Sequence, residues 1–184
     1  MFFTSDQHFG HKNIIKYSGR PFQSVDEMNE VLIQRWNEKI GPDDKVYHLG
    51  DFAFTTSEKE TREILDRLNG KIYLVKGNHD KLAVACRDRF EWVKDYYELT
   101  VKDDSFKRGK QLVVLFHYAI REWKAKHRGS YQLYGHSHGT LPDDPNALAF
   151  DIGVDCHDFY PLSWEDVKKI MKEKTWKPPF AEPR

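Results

Sequence analysis

Five times along the chain, an apolar run of strand length stops at a short cluster of residues able to bind metal or move protons. Phe2-Phe3 leads to Asp6-Gln7-His8, Val46-Tyr47-His48-Leu49 to Gly50-Asp51, and Ile72-Tyr73-Leu74-Val75 to Gly77-Asn78-His79-Asp80. Further on, Leu112-Val113-Val114-Leu115-Phe116 leads to His117, and Leu133-Tyr134 to Gly135-His136-Ser137-His138. A lone Gly-Asn-His-Asp is as readily a turn as a site. Recurrence decides between them, because loops leaving the carboxyl ends of strands converge on one edge of a sheet, where open α/β sheets place their ligands.

The segments between these clusters carry helix signals. Ser24-Val25-Asp26-Glu27 reads as a capping box, and Val25, Met28, Leu32, Trp36 and Ile40 follow at helical spacing until Gly41-Pro42. A second box, Ser57 to Glu60, opens a helix that turns Ile64, Leu65 and Leu68 inward and closes at Asn69-Gly70. Strand, helix and strand in this order make a parallel crossover unit. From Trp92 the pattern becomes strand-like, with Val93, Tyr96, Tyr97, Leu99 and Val101, a polar turn at Asp103-Asp104-Ser105, and Gln111 to Phe116; it predicts an antiparallel hairpin and hence a mixed sheet system. Lys81 to Arg89 and Ile120 to Lys126 are predicted helical, and Ser163 is predicted to cap a last helix carrying Val167, Ile170 and Met171 inward. Residues 1–176 read as a single domain and 177–184 as a loose tail.

Composition sets bounds on function. With 184 residues the chain can bury a real core. The 29 basic and 29 acidic residues cancel, so nucleic acid is not indicated by net charge, although a local basic patch is compatible with it. No apolar run reaches the roughly 18 residues of a bilayer span, and Cys86 and Cys156 are too few for a disulfide framework, so the expectation is a cytoplasmic protein without a membrane partner.

Gathered at one edge, Asp6, His8, Asp51, Asn78, His117, His136 and His138 mix imidazole with oxygen ligands, as first-row divalent ions prefer. Manganese is the first expectation, with iron, nickel and zinc as alternatives. Seven ligands exceed one such ion and suit two, and a shared carboxylate is then expected to hold the ions against their mutual repulsion. Arg20 is a candidate for bidentate phosphate recognition or a surface arginine beside a turn proline. His11 is balanced between substrate contact and loop structure. His48 reads as a satisfied core histidine, and Asp151 and Asp155, around Ile152-Gly153-Val154, as structural.

Taken in order, Asp6-Gln7-His8, Gly50-Asp51, Gly77-Asn78-His79-Asp80, His117 and Gly135-His136-Ser137-His138 resemble the motifs of the calcineurin-like metallophosphoesterase superfamily. Ser5 to His11 with Arg20-Pro21-Phe22 resembles, more narrowly, the small single-domain bacterial and phage phosphoesterases. The resemblance implies an α/β fold of four layers, two facing mixed β-sheets flanked by helices. It implies that Asp6, His8 and His138 hold one ion, that Asn78, His117 and His136 hold the other, and that Asp51 bridges. It makes His79 the acid near the leaving group, with Asp80 orienting its ring. Phe52-Ala53-Phe54 stand where protein-phosphatase relatives carry an acidic residue and arginine, which argues against that substrate class.

The function expected is a dinuclear metal-dependent phosphoesterase that hydrolyses a small phosphodiester or nucleotide-type ester by in-line attack of a metal-bridging hydroxide. The alternatives are a nuclease or end phosphatase acting on nucleic acid, and a non-catalytic metal-binding scaffold.

Overall fold

A computed structural model describes residues 1–178; the tail expected over 177–184 therefore falls largely outside the described residues. Among the described residues, nine strands form two sheets. In the first, β1 (Phe2–Thr4), β2 (Lys45–His48), β3 (Lys71–Val75) and β4 (Trp92–Lys94) run parallel, and β9 (Leu162–Ser163) joins β1 antiparallel. In the second, β5 (Tyr96–Lys102) pairs antiparallel with β6 (Lys110–Phe116), which continues in parallel through β7 (Tyr131–Tyr134) to β8 (Ala149–Asp151). Both sheets are thus mixed.

Strand alternation divides the interior into two cores. Val46, Ile72 and Leu74 point one way, onto α2 (Val25–Lys39), α3 (Glu58–Leu65) and α4 (Lys81–Ala85), where Met28, Leu32, Trp36, Ile64 and Ala83 meet them. Phe3, Tyr47 and Val75 point the other way, against Leu99, Val113, Leu115 and Leu133 of the second sheet. Trp164, Val167 and Met171 of α5 (Trp164–Lys172) pack into this second core. Because β1 to β3 are covered on both faces, they read as continuous apolar runs.

Three local expectations change. The predicted hairpin splits at Asp95: Trp92–Lys94 stays with β3, its indole packed on Tyr73, and only β5 and β6 form the hairpin. The helix predicted at 120–126 is absent; Ala125 has φ 57°, outside the right-handed region, and only Lys126–Arg128 makes a 3₁₀ turn. Side-chain bonds hold that segment on the outer face of the second sheet, with Gln132 Nε2 donating to Tyr118 O at 2.9 Å and Trp123 Nε1 to Ser130 Oγ at 3.0 Å. At Ser24 and Ser57 only half of each capping box forms: the hydroxyls accept from Glu27 and Glu60 N–H, but those carboxylates accept from the preceding Gln23 and Thr56 N–H. The reciprocal box appears instead at Ser163 and Asp166.

Candidate metal centre

The five clusters follow β1, β2, β3, β6 and β7 at the carboxyl ends of those strands. Each must turn sharply there to aim its side chains back over the sheet edge. Asp6, His8, Asp51, His136 and His138 do so at positive φ, 63°, 54°, 55°, 68° and 46°. A left-handed residue other than glycine costs about 1–2 kcal/mol, and such strain gathers at functional sites. Close approach imposes glycine beside them: a Cβ on Gly77 would sit 2.2 Å from Asp51 Oδ1, and one on Gly135 1.9 Å from Ser5 Oγ.

Two groups result, each with ligand atoms within 4.8 Å of one another. The inner group is Asp6, His8 and His138; the outer group is Asp51, His117 and His136. Asp51 also reaches across, its Oδ2 lying 3.5 Å from His8 Nε2 and 3.6 Å from His117 Nε2. Asn78 joins the outer group, with Oδ1 3.1 Å from His117 Nε2.

His117, His138 and His8 are each held through the nitrogen that faces away from the site. His117 Nδ1 donates to Leu49 O at 2.7 Å, His138 Nδ1 lies 2.7 Å from Asp155 Oδ2, and His8 Nδ1 lies 3.1 Å from His11 Nδ1. This fixes the tautomer and leaves Nε2 to ligate. His8 Nε2 is the buried side-chain polar atom with no hydrogen-bond partner among the described residues. An orphan of that kind is costly unless something else meets it, and a cation does.

Electrostatics agree with that fit. Burial raises the Asp6 carboxyl to about 8 and pushes the His8 imidazole well down, so protein atoms alone favour the neutral forms of these two residues. Burial likewise lowers His117. Burial also opposes charge on His138, but its hydrogen bond to Asp155 and the charge of Asp6 raise it overall. Added positive charge would favour ionised Asp6 and neutral imidazoles, the forms that coordinate metal.

Two expected roles are corrected. Arg20 does not offer its fork to a ligand: it is buried, with Nε and Nη2 each 2.8 Å from an Asp155 oxygen, Nη1 donating to Gln7 O at 2.8 Å and Nη2 to Asp6 O at 2.7 Å. It braces the loop that carries Asp6 and His8. Asp80 does not touch the His79 ring; its Oδ2 accepts from Gly77 N–H at 2.7 Å and Asp51 N–H at 2.9 Å, and its Oδ1 from Phe52 N–H at 2.8 Å. It ties the β2 and β3 loops together and so positions Asp51.

Other placements follow the sequence reading or fill it out. His79 is half-buried; its N–H donates to Asp51 Oδ1 at 2.9 Å, and its ring stands 5.6 Å from that of His8. His11 lies at the rim, stacked on exposed Phe54 at 4.4 Å. His48 is a satisfied core residue, bonded to Gln7 Oε1 and to Gly50 N–H. Asp151 bonds Gly139 and Gly153 N–H. Sequence reasoning read Asp155 as structural but missed its partners, Arg20 and His138, from 135 and 17 residues away. It also missed Tyr118, whose hydroxyl donates to Asn78 Oδ1 at 3.3 Å above the outer group.

Residues 2–149 match the Calcineurin-like phosphoesterase superfamily domain. The chain is 30% identical over 179 residues to an uncharacterized protein of Methanocaldococcus jannaschii, covering 94% of this chain and 92% of that protein. It is 28% identical over 200 residues to the Gene 66 protein of Mycobacterium phage D29, covering 94% and 96% of the two chains. The crystal structure of a protein of unknown function from Aquifex aeolicus shares the fold, with a TM-score of 0.68 at 24% identity over 92% of this chain and 98% of that one.

Proposed function

This chain belongs to the calcineurin-like phosphoesterase superfamily, and from that premise we propose that it is a dinuclear phosphoesterase acting on a small phosphodiester or nucleotide-type ester. The observation that carries the dinuclear reading is the position of Asp51 Oδ2, 3.5 and 3.6 Å from the Nε2 atoms of histidines in two different ligand groups. One carboxylate oxygen between two imidazoles is where a shared ligand has to be. Asp6, His8 and His138 would hold one divalent cation, and His117, His136 and Asn78 the other, with Asp51 common to both. Manganese fits this mix of imidazole and oxygen donors, as do iron, nickel and zinc. Such a pair, when bound, acidifies water to a nucleophile and neutralises the charge that develops on the phosphoryl oxygens.

The remaining steps fall to the protein. His79, fixed through its N–H by Asp51 and partly open to solvent, supplies the proton that the departing oxygen needs. Asp80 keeps Asp51 aimed by holding the backbone on either side of it. Phe54 and His11 wall the approach next to His79, the side from which an ester's leaving group departs. Free thiols at Cys86 and Cys156 accord with a reduced cytoplasmic setting, and among the described residues no helix is long and apolar enough to cross a membrane.

The test is metal reconstitution followed by elemental analysis and hydrolysis of a chromogenic phosphodiester, a mononucleotide, a cyclic nucleotide and an oligonucleotide. Two ions per chain with metal-dependent turnover of a small ester is the expected result. Saturation at one ion would overturn the dinuclear reading. Two ions without turnover of any ester would leave a binding scaffold.

A further inference from the structure

A cavity of about 680 Å³ opens at the end of the second sheet away from the ligand groups. Lys110 and Gln111 begin β6 and Tyr131 begins β7 on its wall, whereas His117 and His136 follow the other ends of those strands. At the usual rise per residue, the seven residues of β6 separate the two places by roughly 20 Å. The metal chemistry therefore makes no use of this cavity.

Its wall carries five cations, Lys107, Arg108, Lys110, Lys124 and Arg128, and no carboxylate. Lys124 is paired with Glu98. Among the described residues, Lys107, Arg108, Lys110 and Arg128 have no acidic partner. In a chain with 29 basic and 29 acidic residues this is a local surplus, not a reflection of the total. Aromatic surface lines the same space: Phe106 and Trp176 are half-buried, the latter packed across Gly129, and Tyr131 lies largely buried beneath them. A second cavity of about 390 Å³ shares Phe106 and Tyr131; its Lys168 is paired with Asp103 and Glu165, and Lys169 and Lys172 carry the cationic surface on.

We propose that this cationic, aromatic-lined cavity binds single-stranded nucleic acid. The cations would follow the phosphates, and the rings would take unstacked bases by their faces; a duplex keeps its bases stacked and could offer only phosphates. This goes beyond the phosphoesterase reading and stands or falls apart from it, since neither ligand group takes part.

The probe is a fluorescently labelled twelve-residue oligothymidylate, read by anisotropy on the full chain with manganese and again after chelation. If three phosphates are neutralised, the slope of log affinity against log salt is about −2, and going from 50 to 200 mM salt weakens binding roughly twentyfold. Lys110→Gln, Arg108→Gln and Arg128→Gln are each expected to flatten the slope by about 0.7. Lys59→Gln, on exposed α3, is the control and is expected to leave the slope alone. Trp176→Leu is expected to weaken binding several-fold at an unchanged slope, through lost stacking. Turnover of a small chromogenic ester is expected to stay at wild-type level in all five variants. No binding at 50 mM salt, binding that disappears on chelation, equal effects from Lys59→Gln, tighter binding of a duplex, or a labelled mononucleotide bound as tightly as the twelvemer would each overturn the proposal.

Discussion

The two ligand groups are built from similar residues, yet their surroundings differ. The inner group, Asp6, His8 and His138, is mostly buried and braced from behind: Arg20 and Asp155 form a buried pair, Asp155 holds His138, and Arg20 grips the backbone of Asp6 and Gln7. The outer group has buried Asp51 and His117, but His136 and the neighbouring Asn78 are exposed, with Tyr118 above them. A braced, desolvated cluster holds its ligands in place before an ion arrives, whereas exposed ligands must be ordered by the ion itself. On the proposed reading, the inner group would retain an ion, and the outer group would exchange one and admit substrate. Metal titration is expected to show two steps of unequal affinity, the tighter lost only on prolonged chelation. Two identical sites would break the contrast.

The largest effect should come where the groups meet. Asp51→Asn removes the charge that both would share, and metal charge stabilisation amounts to several kcal/mol, so kcat/KM should fall by about three orders of magnitude or more. Both steps of the titration should weaken together. Full metal content with near-normal turnover would show that Asp51 serves one group only.

His79 tests whether the leaving group departs on the side walled by His11 and Phe54, where the His79 ring stands near that of His8. His79→Ala should cost on the order of 10²-fold on an alkyl or nucleoside ester and much less on a nitrophenyl ester, whose phenolate leaves without a proton. Both titration steps should be unchanged. Equal losses on the two esters, or loss of metal, would assign His79 to the ions instead.

Bracing is the next difference to break. Asp155→Asn leaves a hydrogen-bonding oxygen but removes the charge from both Arg20 and His138. Partners behind a metal ligand are worth about 10- to 100-fold in affinity, and the loss should fall on the tighter step alone. Arg20→Lys should act in the same direction, since a single ammonium cannot reproduce four bonds from one planar fork. An effect on the weaker step, or on KM with metal content intact, would return Arg20 to a phosphate-binding role.

These braces mark the limit of what the sequence could disclose. The candidate ligands were legible as a cluster, because each ends a short apolar run and a strand fixes where its last residues point. Ser24, Ser57 and Ser163 marked helix starts for the same reason, since a cap depends on neighbours within four residues. Partnerships across long separations left no local trace. Arg20 and Asp155 are 135 residues apart, and Asp80 bonds the backbone of Asp51 and Phe52 instead of the histidine next to it. The departure of β4 from the hairpin was hidden too, because alternation in Trp92 to Val101 is the same whichever sheet receives each piece. At 120–126, helical spacing of apolar residues was outweighed by side-chain bonds from Gln132 of β7 and from Ser130 just before it.

The smallest effect belongs to the outer group and sharpens the contrast from its side. Tyr118 rests its ring 4.7 Å from that of His136 and donates its hydroxyl to Asn78 Oδ1 at 3.3 Å, a long bond on an exposed residue. Such a bond is worth about 1 kcal/mol or less, so Tyr118→Phe should weaken the second titration step no more than about fivefold and leave the tighter step untouched. Tyr118→Ala removes the ring as well, freeing His136 and Asn78 to move, and should weaken the same step further and raise KM. If Tyr118 instead shielded the whole centre from water, both steps would shift together and Phe would behave as wild type. The pattern across the two variants therefore separates a residue that steadies exposed ligands from one that merely covers them.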